Sequence, residues 1–135
     1  MTAGYSSTPL AKKLGIKSAF KVLLVNAPDH YHGLFSDWPE LVEQVNHPES
    51  ESLDFIHVFC REENDLKVAA KQIHFLKKNG SIWVSWVKLS SDLPSPFREN
   101  HIRDYMLDAG LVDVKVAAID SDWSGLKFMY RLRDR

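Results

Sequence analysis

The sequence predicts an α/β three-layer sandwich: a mainly parallel sheet of about five strands, with a C-terminal antiparallel strand pair, in a single domain over residues 1–135. Three observations carry that prediction. Phe20 to Val25 is mostly apolar rather than alternating, the pattern of a strand covered on both faces, and Leu53 to Cys60 is a second run rich in β-forming residues. A helical pattern, Asn64 to Asn79, separates that second run from a third, Ser81 to Val87, so strands and helices alternate. Two last runs, Val112 to Ile119 and Leu126 to Leu132, are joined by six residues only, Asp120 to Gly125, which suits antiparallel neighbours.

The elements follow in order. Thr8 suits a helix N-cap, Pro9 the first helical position and Gly15 the left-handed residue after the last turn, while Leu10 and Leu14 share a face. After the first strand, a short helix or turn follows His30. Glu40 to Val45 reads either as helix or as edge strand, and His47 to Ser52 reads as loop. In the helix Asn64 to Asn79, Leu66, Ala69, Ile73 and Leu76 form one stripe. Lys67, Lys71, Lys77 and Lys78 point to water, and Gly80 ends the helix. Two prolines keep Ser90 to Pro96 irregular. The last helix runs from about Arg98 to Ala109, with Ile102, Met106 and Ala109 inward and Gly110 as terminator. Right-handed crossovers put the first strand at one side, then the second and third, with the closing pair at the other edge.

Composition narrows the function classes. A formal net charge of −1 gives no basic field for nucleic acid. The single cysteine, Cys60, excludes an intrachain disulfide framework and fits a reducing compartment. No apolar run approaches the about 18 residues of a membrane span, and the first residues lack the form of a signal peptide. The expectation is a cytoplasmic protein that does not engage membranes.

The order of elements resembles a trimmed class I methyltransferase. Leu14-Gly15-Ile16-Lys17-Ser18-Ala19-Phe20-Lys21-Val22-Leu23 is similar to the lead-in to that family's first strand, with Ser18-Ala19 in place of Pro-Gly. Leu76-Lys77-Lys78-Asn79-Gly80-Ser81-Ile82-Trp83-Val84 resembles the entry to its fifth strand, and Ala109-Gly110-Leu111 before the closing pair also fits. Only about 27 residues separate the first two core strands, so the strands beyond strand one are missing or reduced. The chain also resembles a small uncharacterised bacterial family, domain of unknown function 3052. Gly4 to Gly15, Val25-Asn26-Ala27-Pro28, Ala109 to Val116 and Trp123 to Phe128 carry that resemblance, while residues 36 to 52 and Trp86 to Leu89 fit its pattern less well. It implies the fold and no established activity.

In a parallel α/β sheet, ligands bind beyond the carboxyl ends of the strands. Four polar segments are expected there: Asn26 to His32, Cys60 to Asn64, Lys88 to Ser95 and Asp120 to Gly125. The candidate ligand-binding residues are Asn26, Pro28, Asp29, His30, Tyr31, Arg61, Trp86, Lys88, Asp122, Trp123 and Ser124. The bland alternative is that loops are polar anyway. After strand one, a methyl-donor loop needs glycines so that backbone N–H groups can approach the ligand. Asn26-Ala27-Pro28 offers a proline without an N–H and an alanine Cβ instead, so Asn26 reads as a turn residue and Asp29 as a cap for a following helix. His30 and His32 have no recognised metal-ligand spacing. Cys60 reads as a packed small residue rather than a nucleophile. Trp83 reads as core and Trp86 as facing the other side of its strand. Trp123 reads either as a cover over the sheet end or as a stacking platform. No cofactor, metal site or catalytic residue is assigned. The leading functional reading is a non-catalytic methyltransferase-like domain that binds a protein partner or small molecule at the carboxyl edge. The alternative is an enzyme, or a binder of nucleotide or S-adenosylmethionine, with a rewritten glycine loop. A homodimer through an exposed strand edge is a third option.

Overall fold

The computed structural model describes residues 8–135, so the Gly4 to Ser7 part of the family resemblance lies outside the described residues. In chain order the elements are α1 (Leu10–Leu14), β1 (Lys21–Val25), a 3₁₀ turn (His32–Leu34), β2 (Glu43–Gln44), β3 (Leu53–Cys60), α2 (Asn64–Lys71), a second 3₁₀ turn (Ile73–Phe75), β4 (Leu76–Val87), α3 (Glu99–Asp108), β5 (Leu111–Ala118), β6 (Trp123–Tyr130) and a third 3₁₀ turn (Leu132–Asp134). One mixed sheet runs in the order β2-β1-β3-β4-β6-β5. The first four of these strands are parallel, and β6 is antiparallel to both β4 and β5. The predicted α/β architecture and its closing antiparallel pair therefore stand. The sixth strand is the Glu43–Gln44 edge, which resolves the ambiguous Glu40 to Val45 segment as strand, and among the described residues no strand lies beyond it.

Alternation along the central strands sorts the core into two layers. Ile56, Val58 and Cys60 of β3, with Ile82, Val84 and Trp86 of β4, face α2 and α3. Phe55 and Phe59, with Trp83 and Val87, face α1 and an aromatic loop that includes Tyr31, Phe35 and Trp38. Trp83 is fully buried and its indole N–H donates to the Leu14 carbonyl at 2.9 Å, so the short α1 is pinned to the centre of the sheet. Among the described residues no helix is long and apolar enough to cross a membrane.

Four expectations need correction. Thr8 does not cap α1. The cap comes from Asp37, 25 or more residues away in sequence, whose two carboxylate oxygens accept the N–H groups of Ala11 and Lys12 at 3.0 Å each. The helix predicted to reach Asn79 ends at Lys71, because Gln72 to Phe75 tighten into a 3₁₀ turn and Leu76 already pairs with Leu53 of β3. Gly80 is accordingly a strand residue and not a helix stop. The pairing jumps from Leu53↔Leu76 to Phe55↔Ser81, and at this irregularity a Cβ on Gly80 would lie 3.0 Å from the carbonyl oxygens of Leu53 and Asp54. Ala109 is exposed at the C-cap of α3, whereas Ile102 and Met106 are buried as expected.

Candidate functional site

The chain leaves β1 at Val25 and turns at once, since Asn26 adopts a left-handed backbone (φ 58°) that asparagine tolerates. Pro28 then accepts the Tyr31 N–H at 2.9 Å, and this turn drives Tyr31 into the sheet. Tyr31 is buried among Phe35, Trp38 and Phe59. Its hydroxyl lies 3.0 Å from Nδ1 of His57, a fully buried residue of β3, and Nε2 of His57 lies 2.7 Å from Ser85 Oγ on β4. Burial pushes the Tyr31 phenol up, so it stays protonated. The neutral imidazole donates to one of these two hydroxyls and accepts from the other. Burial also holds its pKa down at about 3. Ser85 and His57 have the separation of a nucleophile and its base, but both are fully buried and the pair is sealed from solvent. The network packs a loop onto the sheet.

At the end of β3 a second network bridges to the end of β1. Asp65, in the first turn of α2, accepts the backbone N–H groups of Arg61 and Glu62 at 2.9 and 3.1 Å on one oxygen. Its other oxygen accepts the Asn26 side-chain amide at 3.0 Å. Arg61 Nη1 donates to the Asn26 carbonyl at 2.6 Å, and its guanidinium sits 5.0 Å from the centre of the Trp123 ring. These groups stand between β1 and β3. There the strand order reverses, because β2 flanks β1 on its other side. That reversal is the topological switch point, the usual binding crevice of an open α/β sheet.

The remaining loops close the same edge. Exposed His30 pairs with Asp120 at 3.1 Å. The other Asp120 oxygen accepts the N–H groups of Asp122 and Trp123, each at 2.8 Å, which shapes the short β5–β6 link. Asp122 in turn accepts Ser91 Oγ at 2.7 Å, and its carbonyl accepts the Lys88 N–H. On the α2/α3 face a cavity of about 460 Å³ is lined by Trp86, Lys88, Leu89, Phe97, Arg98, Glu99, Asn100 and Ser124.

The four predicted segments thus do meet, in three separate places. Asn26, Arg61 and Trp123 converge at the switch point; His30 reaches across to the β5–β6 link that holds Asp122; and Trp86, Lys88 and Ser124 line the cavity. Three expected residues go elsewhere. Tyr31 is core, Pro28 contributes only a turn carbonyl, and exposed Asp29 caps no helix. Trp123 is 3 % exposed and packs edge-on against Phe59, so it covers the sheet end. Burial, and then the neighbouring Asp65, push the Cys60 thiol up to about 12, as befits a packed residue. Among the described residues no three of His, Cys, Asp and Glu converge as metal ligands. The sequence reading missed Asp65, His57 and Ser85. Asp65 looks like an ordinary acid at a helix start, and the two strand residues carry no spacing signal in one dimension.

No family model and no curated protein matches the chain. Solved structures do. A S-adenosylmethionine-dependent methyltransferase from Aquifex aeolicus matches with a TM-score of 0.64 at 16 % identity, over 89 % of this chain and 87 % of that one. A putative type 11 methyltransferase from Sulfolobus solfataricus matches with a TM-score of 0.61 at 14 % identity, over 90 % and 89 %. Fibrillarin from Aeropyrum pernix, solved with natively bound S-adenosyl-L-methionine, matches with a TM-score of 0.60 at 13 % identity, over 89 % and 73 %. At such identities the likeness is one of fold: this chain has the Rossmann-like fold of S-adenosylmethionine-dependent methyltransferases.

That fold implies an adenosyl donor, and the residues at the switch point do not fit one. The Asn26 carbonyl is taken by Arg61 and its amide by Asp65. Pro28 has no N–H to offer.

Proposed function

We propose that this chain is a non-catalytic methyltransferase-fold domain that binds a small molecule or a protein partner at the carboxyl edge of its sheet. One observation carries the proposal. The Arg61 guanidinium reaches from the Asn26 carbonyl to the face of Trp123, so a side chain of the protein stands where this fold offers its binding crevice. The cavity beside Trp86, Lys88 and Ser124 offers a place for a ligand at that edge. Membership of the uncharacterised bacterial family, a single-domain organisation and a cytoplasmic location belong to the same proposal.

Isothermal titration calorimetry with S-adenosylmethionine and S-adenosylhomocysteine tests it. The expected result is no saturable heat, which means a Kd weaker than roughly 1 mM, or less than about 4 kcal/mol of binding free energy. Saturable binding of either compound that disappears when the Asn26 to Tyr31 segment is changed would overturn the proposal.

A further inference from the structure

The face of β5 and β6 beside α1 gathers lysines that the linear sequence scatters over more than a hundred residues. Lys115 and Lys127 are direct cross-strand partners on that face. Lys115 Nζ donates to the Lys13 carbonyl at 3.1 Å, Lys13 Nζ donates to the Ala118 carbonyl at 3.3 Å, and Lys127 Nζ lies 3.4 Å from the position a Cβ on Gly15 would take. Lys17 follows two residues after Gly15. Among the described residues, no carboxylate forms an ion pair with Lys13, Lys17, Lys115 or Lys127.

Like charges placed directly opposite on neighbouring strands oppose folding. Here the repulsion is compounded by two more lysines, with no ion pair to an acid among the described residues, in a chain whose net charge is only −1. Burial, followed by Lys115 and Lys88, lowers the pKa of Lys13; burial, followed by Lys115 and Lys17, lowers that of Lys127. The cluster is therefore a local concentration of positive charge that the folded chain alone leaves uncompensated.

We propose that this lysine face is a docking surface for an acidic segment of a protein partner, lying in extended form along β5. Charge complementarity fixes the sign. Two further features favour a polypeptide over a nucleic acid. Among the described residues, none of the four lysines lies over an aromatic ring, so a base finds no stacking platform beside them. And β5 is the outer strand of the sheet: Lys115 faces α1, while Val116, opposite Leu126, turns to the other face and is 49 % exposed, so an added strand meets lysine on one side and an apolar side chain on the other, a pattern that alternating side chains match and phosphates do not. The lysines themselves lie on the opposite face of the sheet from the Trp86–Lys88 cavity.

Fluorescence anisotropy with a labelled 12-residue peptide of alternating glutamate and valine, at low salt, tests the inference. The peptide should bind, with affinity falling as salt rises. Lys115→Gln/Lys127→Gln should weaken it tenfold or more, while Lys67→Gln/Lys71→Gln on the far-side helix α2 should leave it unchanged. Lys17→Glu, at an exposed position with no bond to lose, should weaken it several-fold and serves as the folded check on the double variant. Absence of binding, or equal loss in the two double variants, would overturn the proposal. So would a 12-nucleotide oligothymidylate that binds the wild type more tightly than the peptide and is lost with the same lysines, since that outcome assigns the face to nucleic acid.

Discussion

His57 shows how a single residue ties loop, sheet and solution conditions together. Its imidazole is enclosed by Tyr31, Ser85, Phe55 and the stacked ring of Phe59, and it is held neutral with a pKa near 3. An unfolded chain frees it to titrate near 6.5. The folded pKa of this base is the lower one, so the unfolded state binds the extra proton between pH 6.5 and 3, and stability falls as pH drops through that window. By about pH 5 the loss relative to neutral pH is on the order of 2 kcal/mol. Urea denaturation at the two pH values should recover it, and His57→Gln should flatten the difference. An unchanged pH slope in that variant would show that other groups set the acid sensitivity. Tyr31→Phe should cost about 1–3 kcal/mol at neutral pH by leaving Nδ1 buried without a hydrogen-bond partner.

At the scale of elements, the connection from α1 to β1 contains a correctable strain. Ala19 sits at φ 64°, and the resemblance to methyltransferases places a glycine at this position. A Cβ in the left-handed region costs roughly 1–2 kcal/mol, against the roughly 0.5–1 kcal/mol of extra chain entropy that a glycine loses on folding. Ala19→Gly should therefore stabilise the protein by up to about 1 kcal/mol in thermal or urea melts, and a destabilised variant would show that the strain is not there. Other elements were legible to different depths for physical reasons. Leu53–Cys60 could be read to the residue because β3 is buried on both faces and β-formers fill it. The end of α2 could not, because Ile73 and Leu76 keep helical spacing while their backbones have already left the helix. The switch-point turn was legible as glycine-poor from Ala27-Pro28, but its occupant was not: Arg61 reaches Asn26 across 35 residues of sequence, a pairing only the parallel register of β1 and β3 creates. Tyr31 was misplaced for the converse reason, since a tyrosine among polar loop residues gives no sign that the turn after Pro28 aims it inward.

The whole molecule presents two sheet edges, and an open edge invites pairing with a second copy. β2 contributes two residues only, too short a template. β5 is longer, but its register against β6 is broken between Asp113 and Lys115, a bulge that twists the edge out of regular pairing. A two-fold pairing of β5 with itself would also keep corresponding faces on the same side, merging two lysine clusters across one seam. Bulge and charge both act against self-association, and the charge alone favours an acidic partner over a second copy, so the chain is expected to be a monomer of 15.5 kDa in sedimentation equilibrium. Deleting Val114 straightens the ladder, and Lys115→Thr removes the repulsion at its centre. The combined variant should associate in a concentration-dependent way while the wild type does not. A wild-type dimer that persists in Lys115→Glu would mean that copies meet elsewhere and that this edge is not what keeps them apart.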